Sequence, residues 1–419
     1  MLTLQHFFTL FPPKRLEELA CEYQVDAQHS IKISGPALFL CLLNGLLNHP
    51  ELSQRMLEEI YHQQTGQTLD HSTFGKCLNR INPSFFKGIF QELYAKLQPQ
   101  IPSGTQSALK LRIVDATIVT LSAKLLSWGL RSGTCNPDKA RQQVKSVIEL
   151  SAQGIPNLLR ICKEPSESAD STALGATMQQ ASKPGDLWVF DKGCHGRERL
   201  LGIHQAKAFW ITPLSQQHVA VLQTLFVLDA QDLPVAAPKP GESTWICVRV
   251  EQVVFENSQA TEPTRRKWGS IPLILVHGLR FDIRSKTWQP LILMTNLPLS
   301  ENQQQAGPYT WDEIASLYHE RWNIEVFFKF IKQNLNYSHL TSRSENGVEI
   351  MIYMSLIAAL LLIWFKQQTG IDRGWRSVKF WLAEAVRHWT QEALDSMSKV
   401  LYDAPLPVVF AYDVANFQG

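Results

Sequence analysis

One run of sixteen uncharged residues, Ile350 to Phe365, constrains the fold of this 419-residue chain more than any other feature. It reads IMIYMSLIAALLLIWF and lies between Glu349 and Lys366. A helix that is apolar on every side is buried on every side, either in lipid or in protein. A membrane span needs about 20 apolar residues. We therefore predict a fully buried core helix over 350–365 and no membrane partner.

The composition indicates a folded protein with reduced cysteines. Hydrophobic residues make up 45% of the chain and charged residues 19%, which is ordinary for a globular protein. The net charge of +2 does not by itself indicate nucleic-acid binding. The seven cysteines form no CxxC pair, and the opening MLTLQHFF lacks the charged and long apolar regions of a signal peptide. We therefore expect a cytoplasmic protein with neither a disulfide framework nor a structural zinc site.

Helical patterns fill residues 1–98, which we predict to be an α-helical N-terminal DNA-binding domain. The segments SQRMLEEIYHQQTG and HSTFGKCLNRI, separated by QTLD, have the outline of a helix-turn-helix. The second segment would present polar side chains that suit a major groove: Ser72, Thr73, Lys76, Asn79 and Arg80. Such outlines are common in all-α segments, so an ordinary pair of packed helices is the alternative.

The pattern changes from helices to strands after residue 105. Residues 105–212 read as a strand, a hairpin that turns at Gln153-Gly154, a helix, a strand, a helix and a strand. Residues 213–299 are strand-like, rich in turns and too long for a loop. We predict that 105–212 is the first part of a catalytic core and that 213–299 is a β-rich insertion subdomain.

Helical patterns return in residues 300–370, which we predict to be the second part of the core. A capping box at Thr310–Glu313 begins a helix that is predicted to run to about Leu335. The apolar helix follows it. Residues 371–419 are predicted to form a C-terminal helical tail.

Two aspartates stand where an apolar strand pattern is interrupted or ends. Asp115 interrupts LRIVDAT, and Asp191 closes LWVFDKG just before a glycine. A buried carboxylate is costly unless it is paired, hydrogen-bonded or bound to a metal, and either aspartate alone is more often structural than catalytic. Together with Glu325, on the helix after the insertion, they would form an all-oxygen site that suits Mg²⁺ or Mn²⁺.

The helix that carries Glu325 has a polar line along the border of its apolar face. At 100° per residue, four side chains fall within a narrow arc: Tyr318, Arg321, Glu325 and Lys332. The apolar stripe of the same helix is centred beside that arc. We predict that this line faces a cleft in which Arg321 and Lys332 bind phosphates and Tyr318 stacks on a base or donates to a phosphate.

The spacing of these four residues is Y-(2)-R-(3)-E-(6)-K, the signature of the DDE transposases of the insertion-sequence-four (IS-four) family, which this chain resembles over about residues 105–370. The resemblance implies an α/β fold with an RNase H-like (ribonuclease H-like) catalytic core that a β-rich insertion interrupts before the glutamate. Asp115 in VDAT and Asp191 in FDKG stand where the first two acids of the family belong. The two ends of the chain match only in general character.

The resemblance further implies an enzyme that cuts and joins DNA. Asp115, Asp191 and Glu325 would bind two Mg²⁺ or Mn²⁺ ions. Hydrolysis would nick a transposon end, the freed 3′-hydroxyl would close a DNA hairpin on the opposite strand, and strand transfer into target DNA would follow. A homodimer would hold two ends in a synaptic complex.

Five residues are predicted to contact DNA: Tyr318, Arg321, Lys332, Lys192 and Lys145. At Lys192 the chain departs from the family, which commonly has Arg there and an aromatic where this chain has Cys194-His195. The charge is kept, but one local DNA contact is put in doubt. Lys145 belongs to a basic stretch, 116–148, that could sit on phosphates, with a solvated loop as the alternative.

Two other functions stay open at this point. The chain could be an RNase H-like nuclease without strand transfer, or a non-catalytic DNA-binding protein derived from a transposase. Trp268 and Trp288 could each stack on a flipped base, although most Trp residues of β subdomains belong to the core. Cys194-His195 lacks a third soft ligand, which disfavours a zinc site or a thiol nucleophile.

Overall fold

The computed structural model shows a mixed α/β protein. The residues that it describes are 4–26, 32–49, 51–100, 109–121, 130–131, 142–167, 169–194, 196–214, 219–234, 236–239, 242–256, 271–299, 309–337, 341–342 and 344–403. Helices form most of residues 4–97 and of residues 311–403, and the strands of one large sheet lie between these two parts of the sequence.

The N-terminal region is helical, as predicted. Its helices are α1 (Leu4–Leu10), α2 (Pro13–Glu22), α3 (Gly35–Asn48), α4 (Gln54–Thr65), α5 (His71–Arg80) and α6 (Ser84–Leu97). Ser53 and Asp70 cap α4 and α5 by accepting hydrogen bonds from backbone N–H groups of the first turn. Helices α4 and α5 pack against each other, as both a helix-turn-helix and an ordinary pair of packed helices require. Ser72, Lys76 and Asn79 are exposed.

The central sheet has ten strands. They are β1 (Lys110–Thr120), β2 (Leu130–Arg131), β3 (Gln142–Ser151), β4 (Pro156–Cys162), β5 (Asp186–Val189), β6 (Phe209–Pro213), β7 (Val219–Val227), β8 (Trp245–Phe255), β9 (Leu273–Asp282) and β10 (Thr287–Thr295). Their order is β2-β3-β1-β5-β6-β10-β9-β8-β7, with β4 paired to β3. Strands β1, β5 and β6 run parallel, and the other pairs are antiparallel. The predicted hairpin joins β3 to β4, and Gly154 supplies the positive φ of 73° at its turn.

The β-rich insertion extends the core sheet and does not form a sheet of its own. Strand β10, which ends the insertion, pairs antiparallel with β6, with Met294 opposite Thr212. Strands β9, β8 and β7 follow outward from β10. The strand predicted in LFVLDAQDLPV ends early, at Val227, and Ala230–Asp232 forms a single 3₁₀ turn. Backbone hydrogen bonds therefore join the core and the insertion directly.

Six further helices complete the described chain. They are α7 (Asp170–Ala181), α8 (Arg197–Gln205), α9 (Trp311–His319), α10 (Trp322–Asn334), α11 (Glu345–Thr369) and α12 (Trp375–Asp403). The predicted capping box is present, because Thr310 and Glu313 each accept a hydrogen bond from the other's backbone N–H.

The prediction of one helix from Thr310 to about Leu335 is wrong, because the structure breaks it into α9 and α10. At the break, the backbone N–H of Arg321 donates to Tyr318 and that of Ile324 donates to Arg321, both three residues back and not four. The Asn323 amide also bonds the Glu320 carboxylate. No glycine or proline marks this position in the sequence, so the helical periodicity of the apolar residues continues through the break.

The apolar run predicted to be a core helix lies within α11. This helix is long and apolar enough to cross a membrane, but 94% of its most apolar window is buried inside the protein. It packs against α3, α5 and α6, which precede it in the sequence, and against α12, which follows it. The N-terminal helices, α11 and α12 thus share one continuous core.

A buried cluster of charges holds three strands of the sheet together. The Arg112 guanidinium on β1 donates to Glu149 on β3 at 2.6 Å and to Asp186 on β5 at 2.7 Å. Its carbon also lies 3.8 Å from the centre of the Trp188 ring. The three charged side chains are each no more than 8% exposed. A buried pair that loses one partner leaves an uncompensated charge, so this cluster fixes how β1, β3 and β5 are joined.

We expect Arg112→Met to lower the free energy of unfolding by about 3–5 kcal/mol, because two carboxylates would stay buried without their cation. Chemical denaturation followed by tryptophan fluorescence measures the change. Lys110→Met, at an exposed position of the same strand, is the matched control. Equal midpoints for the two variants would show that the cluster does not hold the sheet.

Candidate active site

The parallel pairing of β1 with β5 sets the two predicted aspartates side by side. Ile113 is the register partner of Val189, so Asp115 and Asp191 each lie two residues further along their own segments. Neighbouring strands are about 4.8 Å apart, and residues of the same parity face the same side of a sheet. Asp115 lies within β1, whereas Asp191 follows the end of β5 and is exposed. The fold therefore brings together two acids that are 76 positions apart in the sequence.

The surroundings of the Asp115 carboxyl change its pKa. Burial raises its pKa to about 6, and the nearby Asp191 and Asp170 carboxylates push it the same way. The Ala116 backbone N–H, which donates to Asp115 Oδ1 at 2.7 Å, and the Arg321 guanidinium oppose the rise. A carboxyl whose negative charge is disfavoured by burial and by neighbouring carboxylates is a suitable ligand for a divalent cation.

Arg321 lies at the centre of the predicted polar line. Its guanidinium donates to Glu325 Oε1 at 2.6 Å, and its carbon lies 5.8 Å from the centre of the Tyr318 ring. The charge of Asp191 acts on it as well. The helix break places Tyr318 on α9 and Glu325 on α10, so Arg321 connects the two helices to each other and to the aspartates.

Tyr318 and Lys332 border the same site. Burial raises the pKa of Tyr318 to about 12, so its hydroxyl stays a hydrogen-bond donor at neutral pH. Burial lowers the pKa of Lys332, and the Asp115 carboxylate opposes this shift. The structure thus brings Asp115, Asp191, Arg321, Tyr318 and Lys332 near enough to one another for their charges to interact.

Glu325 is not joined to the aspartates in this structure. Its carboxylate is the ion-pair partner of Arg321, and its side chain is 35% exposed. Within the described residues, which include all three predicted acids, no group of three or more His, Cys, Asp or Glu side chains is arranged to hold a metal ion. The Asp115–Asp191 pair fits a divalent cation by its chemistry, and the predicted three-carboxylate group is not assembled.

A large cavity adjoins the site on the insertion side. It has a volume of about 950 Å³ and lies between α9 and strands β8, β9 and β10. Tyr318 and Arg321 belong to its wall, together with Arg280, Trp245 and the exposed Trp322. The Phe226 ring stacks on Trp311 at 4.8 Å on the same wall. The cavity is therefore aromatic and bears two arginines.

The two lysines predicted to contact DNA differ in their surroundings. Lys192 is exposed, and its backbone N–H donates to Asp191 Oδ1 at 2.8 Å. Lys145 on β3 is buried, and its ammonium donates to Asp170 at 2.6 Å, with only 4% of its side chain exposed. Lys145 is therefore engaged inside the protein, a geometry that corrects the prediction of a lysine presented to phosphates. Of the other basic residues of this stretch, Arg131 lies on β2, and Lys124, Lys139 and Arg141 lie outside the described residues.

The remaining candidates contribute little to this site. Trp288 donates its indole N–H to the Ala236 carbonyl at 2.9 Å and packs edge-on against Phe281. Both contacts lie within residues 213–299, so Trp288 stabilises the insertion. Trp268 and His195 lie outside the described residues, as does the side chain of Cys194. Asp170 and Arg280, which interact with Asp115 and Tyr318, were missed. Neither stands in a motif, and only the fold brings them close.

Comparison with known proteins gives the family. The sequence matches the family described as Transposase DDE domain over residues 106–361, which is 256 of 419 residues. The chain belongs to this family of DDE transposases.

Its relatives include transposases of insertion sequence elements. The chain is 41% identical over 306 residues to the "Probable transposase for insertion sequence element IS5377" of Geobacillus stearothermophilus, covering 71% of this chain and 68% of that protein. It is 23% identical over 380 residues to the "Transposase for insertion sequence element IS231C" of Bacillus thuringiensis subsp. berliner, covering 83% and 76%. Among solved structures, a chain of a piggyBac transposase synaptic complex with hairpin DNA aligns with a TM-score of 0.44 and 10% identity, covering 100% of this chain and 88% of that chain.

We expect Asp115→Asn to stabilise the metal-free fold at pH 7.5 by about 1–3 kcal/mol. The folded-state pKa of Asp115, about 6, lies above its ordinary value of 3.8. The stability that the protonated carboxyl provides is therefore complete below pH 3.8 and lost as the pH rises through 6. Asn is always neutral, so its advantage should shrink when denaturation in EDTA is repeated at pH 5. The exposed Asp372→Asn is the control, and a pH-independent difference would contradict the assignment.

Proposed function

We propose that this chain is the transposase of an insertion sequence element, which cuts and joins DNA at Asp115, Asp191 and Glu325. The observation that carries the proposal is the β1–β5 register, which sets Asp115 beside Asp191. The strand order β4-β3-β1-β5-β6, with α7 and α8 in the connections around β5, supports an RNase H-like core. Membership of the DDE transposase family and the relatives named for insertion sequences support the same conclusion.

Asp115 and Asp191 would hold the metal ions, and Glu325 would complete the group. Bound Mg²⁺ or Mn²⁺ lowers the pKa of an attacking water or 3′-hydroxyl and stabilises the leaving oxygen of a phosphodiester. The chain's own contribution is to place the acids and to balance their charge. Arg321 and Lys332 act on this balance, because each lies near enough to an aspartate for their charges to interact.

DNA binding would release Glu325 to join the aspartates. In the structure Arg321 has one strong acidic partner, the Glu325 carboxylate at 2.6 Å. A phosphate offers Arg321 a bidentate partner of at least equal strength. Glu325 is one-third exposed and stands in the first turn of α10, so its side chain can turn once Arg321 has bound a phosphate. Metal binding is then completed only when DNA is present.

The cavity beside the site would receive part of the DNA end. Its aromatic wall suits the face of an unpaired base, and Arg280 and Arg321 suit the phosphates on either side of it. The indole N–H of Trp245 is buried and has no hydrogen-bond acceptor among the described residues.

Nicking at a transposon end, closure of a DNA hairpin and strand transfer into target DNA would all occur at this one site. Two ends require two sites, so the working form would be a homodimer with two ends and target DNA. The chemistry would take place in the cytoplasm, on the DNA of the nucleoid. Lys192, exposed beside Asp191, is placed to contact the DNA backbone.

We expect Asp115→Asn, Asp191→Asn and Glu325→Gln each to slow strand cleavage by about 10³-fold or more, because each change removes a metal ligand. The substrate is a plasmid that carries the genomic DNA flanking the coding region, incubated with Mg²⁺, and nicked and hairpin products are measured on gels. Glu320→Gln, at the exposed acid next to Arg321, is the control. Wild-type rates in the three variants would exclude the catalytic assignment and favour a non-catalytic DNA-binding protein.

Strand transfer is tested separately from cleavage. Pre-cut ends with a free 3′-hydroxyl are incubated with a target plasmid, and joined molecules are counted. Wild-type protein should join them, whereas a plain RNase H-like nuclease would cleave without producing any joined product.

We expect Arg321→Ala to tighten Mn²⁺ binding in the absence of DNA on the order of tenfold, because Glu325 is released, while cleavage becomes slower for want of a phosphate contact. Electron paramagnetic resonance of free Mn²⁺ measures the affinity. Lys329→Ala, at an exposed cation on α10, is the control and should change neither quantity. Unchanged Mn²⁺ affinity in Arg321→Ala would exclude the release of Glu325 as the coupling step.

A further inference from the structure

The residues that follow α10 fix the end of this helix to distant parts of the chain. The Leu335 carbonyl accepts a hydrogen bond from the Ser355 hydroxyl on α11 at 3.0 Å. The Asn336 amide donates to the carbonyl of His49, which follows α3, at 3.2 Å. Asn336 also has a positive φ of 54°, a conformation with which many helices end. The carboxyl end of the helix that carries Glu325 is therefore fixed to two other parts of the chain.

Tyr337, the next residue, reaches the central sheet. Its side chain is fully buried. Burial raises the pKa of Tyr337, and the nearby Ser146 hydroxyl on β3 opposes the rise. Ser146 is the register partner of Thr117 on β1, and such partners have Cβ atoms about 5 Å apart. The hydroxyls of Thr117, Ser146 and Tyr337, which we call the hydroxyl cluster, thus come together from three parts of the chain.

The hydroxyl cluster lies on the face of the sheet that carries Asp115. Thr117 follows Asp115 by two residues on β1, and alternate residues of a strand face the same side, about 7 Å apart. Strand β1 and helix α10 also contact each other. The cluster therefore lies where the strand that carries Asp115 meets the end of the helix that carries Glu325.

Each hydroxyl of the cluster lacks a hydrogen-bond partner among the described residues. Thr117 is 3% exposed, and Ser146 and Tyr337 are 0% exposed, so bulk solvent does not reach them. Buried polar groups are almost always paired, either with protein or with an internal water. Hydroxyls that lie close to one another but beyond hydrogen-bond distance are typical of groups that a water bridges.

The chemistry of the cluster favours water over an ion. Three hydroxyls carry no formal charge, so they do not balance the charge of a buried cation or anion. Buried waters commonly make about three hydrogen bonds to such groups. Each hydroxyl can donate and accept, so all three can bond one water at the same time.

We propose that one internal water bonds Thr117, Ser146 and Tyr337 and thereby joins β1 and β3 to the end of α10. The water fixes the separation between β1 and α10, and hence the distance that Glu325 covers to reach Asp115. Tyr337 is then a positioning residue, which acts through Glu325 and touches neither DNA nor metal. This role rests on the proposed function, whereas the water site itself does not.

The sign of a stability change tests the water. Tyr337→Phe and Thr117→Val each remove one oxygen and keep the shape of the side chain. If a water bonds the cluster, each variant should lower the folding equilibrium constant by about tenfold in chemical denaturation with EDTA. If the hydroxyls are unpaired, both variants should raise the constant, and that result would overturn the water. Tyr353→Phe, at a buried tyrosine of the same core on α11, is the control and should leave the constant unchanged.

The double variant tests whether one water is shared. Thr117→Val/Tyr337→Phe should lower the constant by less than the product of the two single effects, because both changes remove bonds to the same water. A full product would exclude a shared water. A crystal structure should show one water within about 3 Å of all three oxygens, and clear density without it would contradict the site.

Cleavage kinetics with Mg²⁺ test the positioning role. Tyr337→Phe should lower kcat for strand cleavage on the order of tenfold and raise the Mg²⁺ concentration that gives half the maximal rate, while KM for DNA stays the same. Thr117→Ser, which keeps a hydroxyl, should retain a rate that Thr117→Val loses. A wild-type kcat in Tyr337→Phe would overturn the positioning role and leave the proposed chemistry standing. An inactive wild-type protein would instead overturn the proposed function, while the stability measurements would still decide on the water.

Discussion

The parallel pairing of β1 and β5 is the constraint on which the rest of the site depends. Strand β5 has only four residues, too few for backbone hydrogen bonds alone to fix its register firmly. The buried Arg112 guanidinium supplies the missing restraint, since it binds Asp186 at the start of β5 and Glu149 on the opposite neighbour. A slip of one residue would unpair this cluster and turn Asp115 and Asp191 to opposite faces. A structural ion cluster thus determines where the two acids that we propose to be catalytic stand.

The site itself is a balance between acids and cations that share a small space. Asp115 is partly desolvated beside Asp191, and both effects raise the pKa of its carboxyl. Arg321 relieves part of this repulsion and occupies Glu325 at the same time. Such an arrangement suits an enzyme that must hold polyanionic DNA. In the proposed function, each phosphate that binds would attract an arginine or lysine and leave the acids free for cations.

Much of the fold could be predicted because its signals are local. The strand around Asp115, the hairpin at Gly154, the capping box at Thr310 and the apolar helix 350–365 each depend on neighbouring residues. The break at Glu320-Arg321 could not be predicted, because no residue there is a helix breaker. The bonds that shorten the turn join residues three apart, and the same residues are equally compatible with a continuous helix.

The site was predictable only in part, and for a similar reason. The spacing of the polar line fixed which residues belong to it, and the strand pattern identified the two aspartates. Neither pattern could show that Glu325 would pair with Arg321, because two helical residues that are four positions apart can contact either each other or a third partner. The burial of Lys145 against Asp170 depends on a helix 25 residues away, which a local basic stretch cannot reveal.

The apolar helix α11 also has a consequence for biosynthesis. A segment of this length and hydropathy is what membrane-insertion machinery selects from a growing polypeptide. Among the described elements, its partners α3, α5, α6, β4 and α10 precede it in the chain, and α12 follows. Because translation runs from the N-terminus, the surface that shields this segment has already left the ribosome when the segment emerges. The order of these elements in the chain therefore allows the apolar segment to be buried in protein as soon as it emerges.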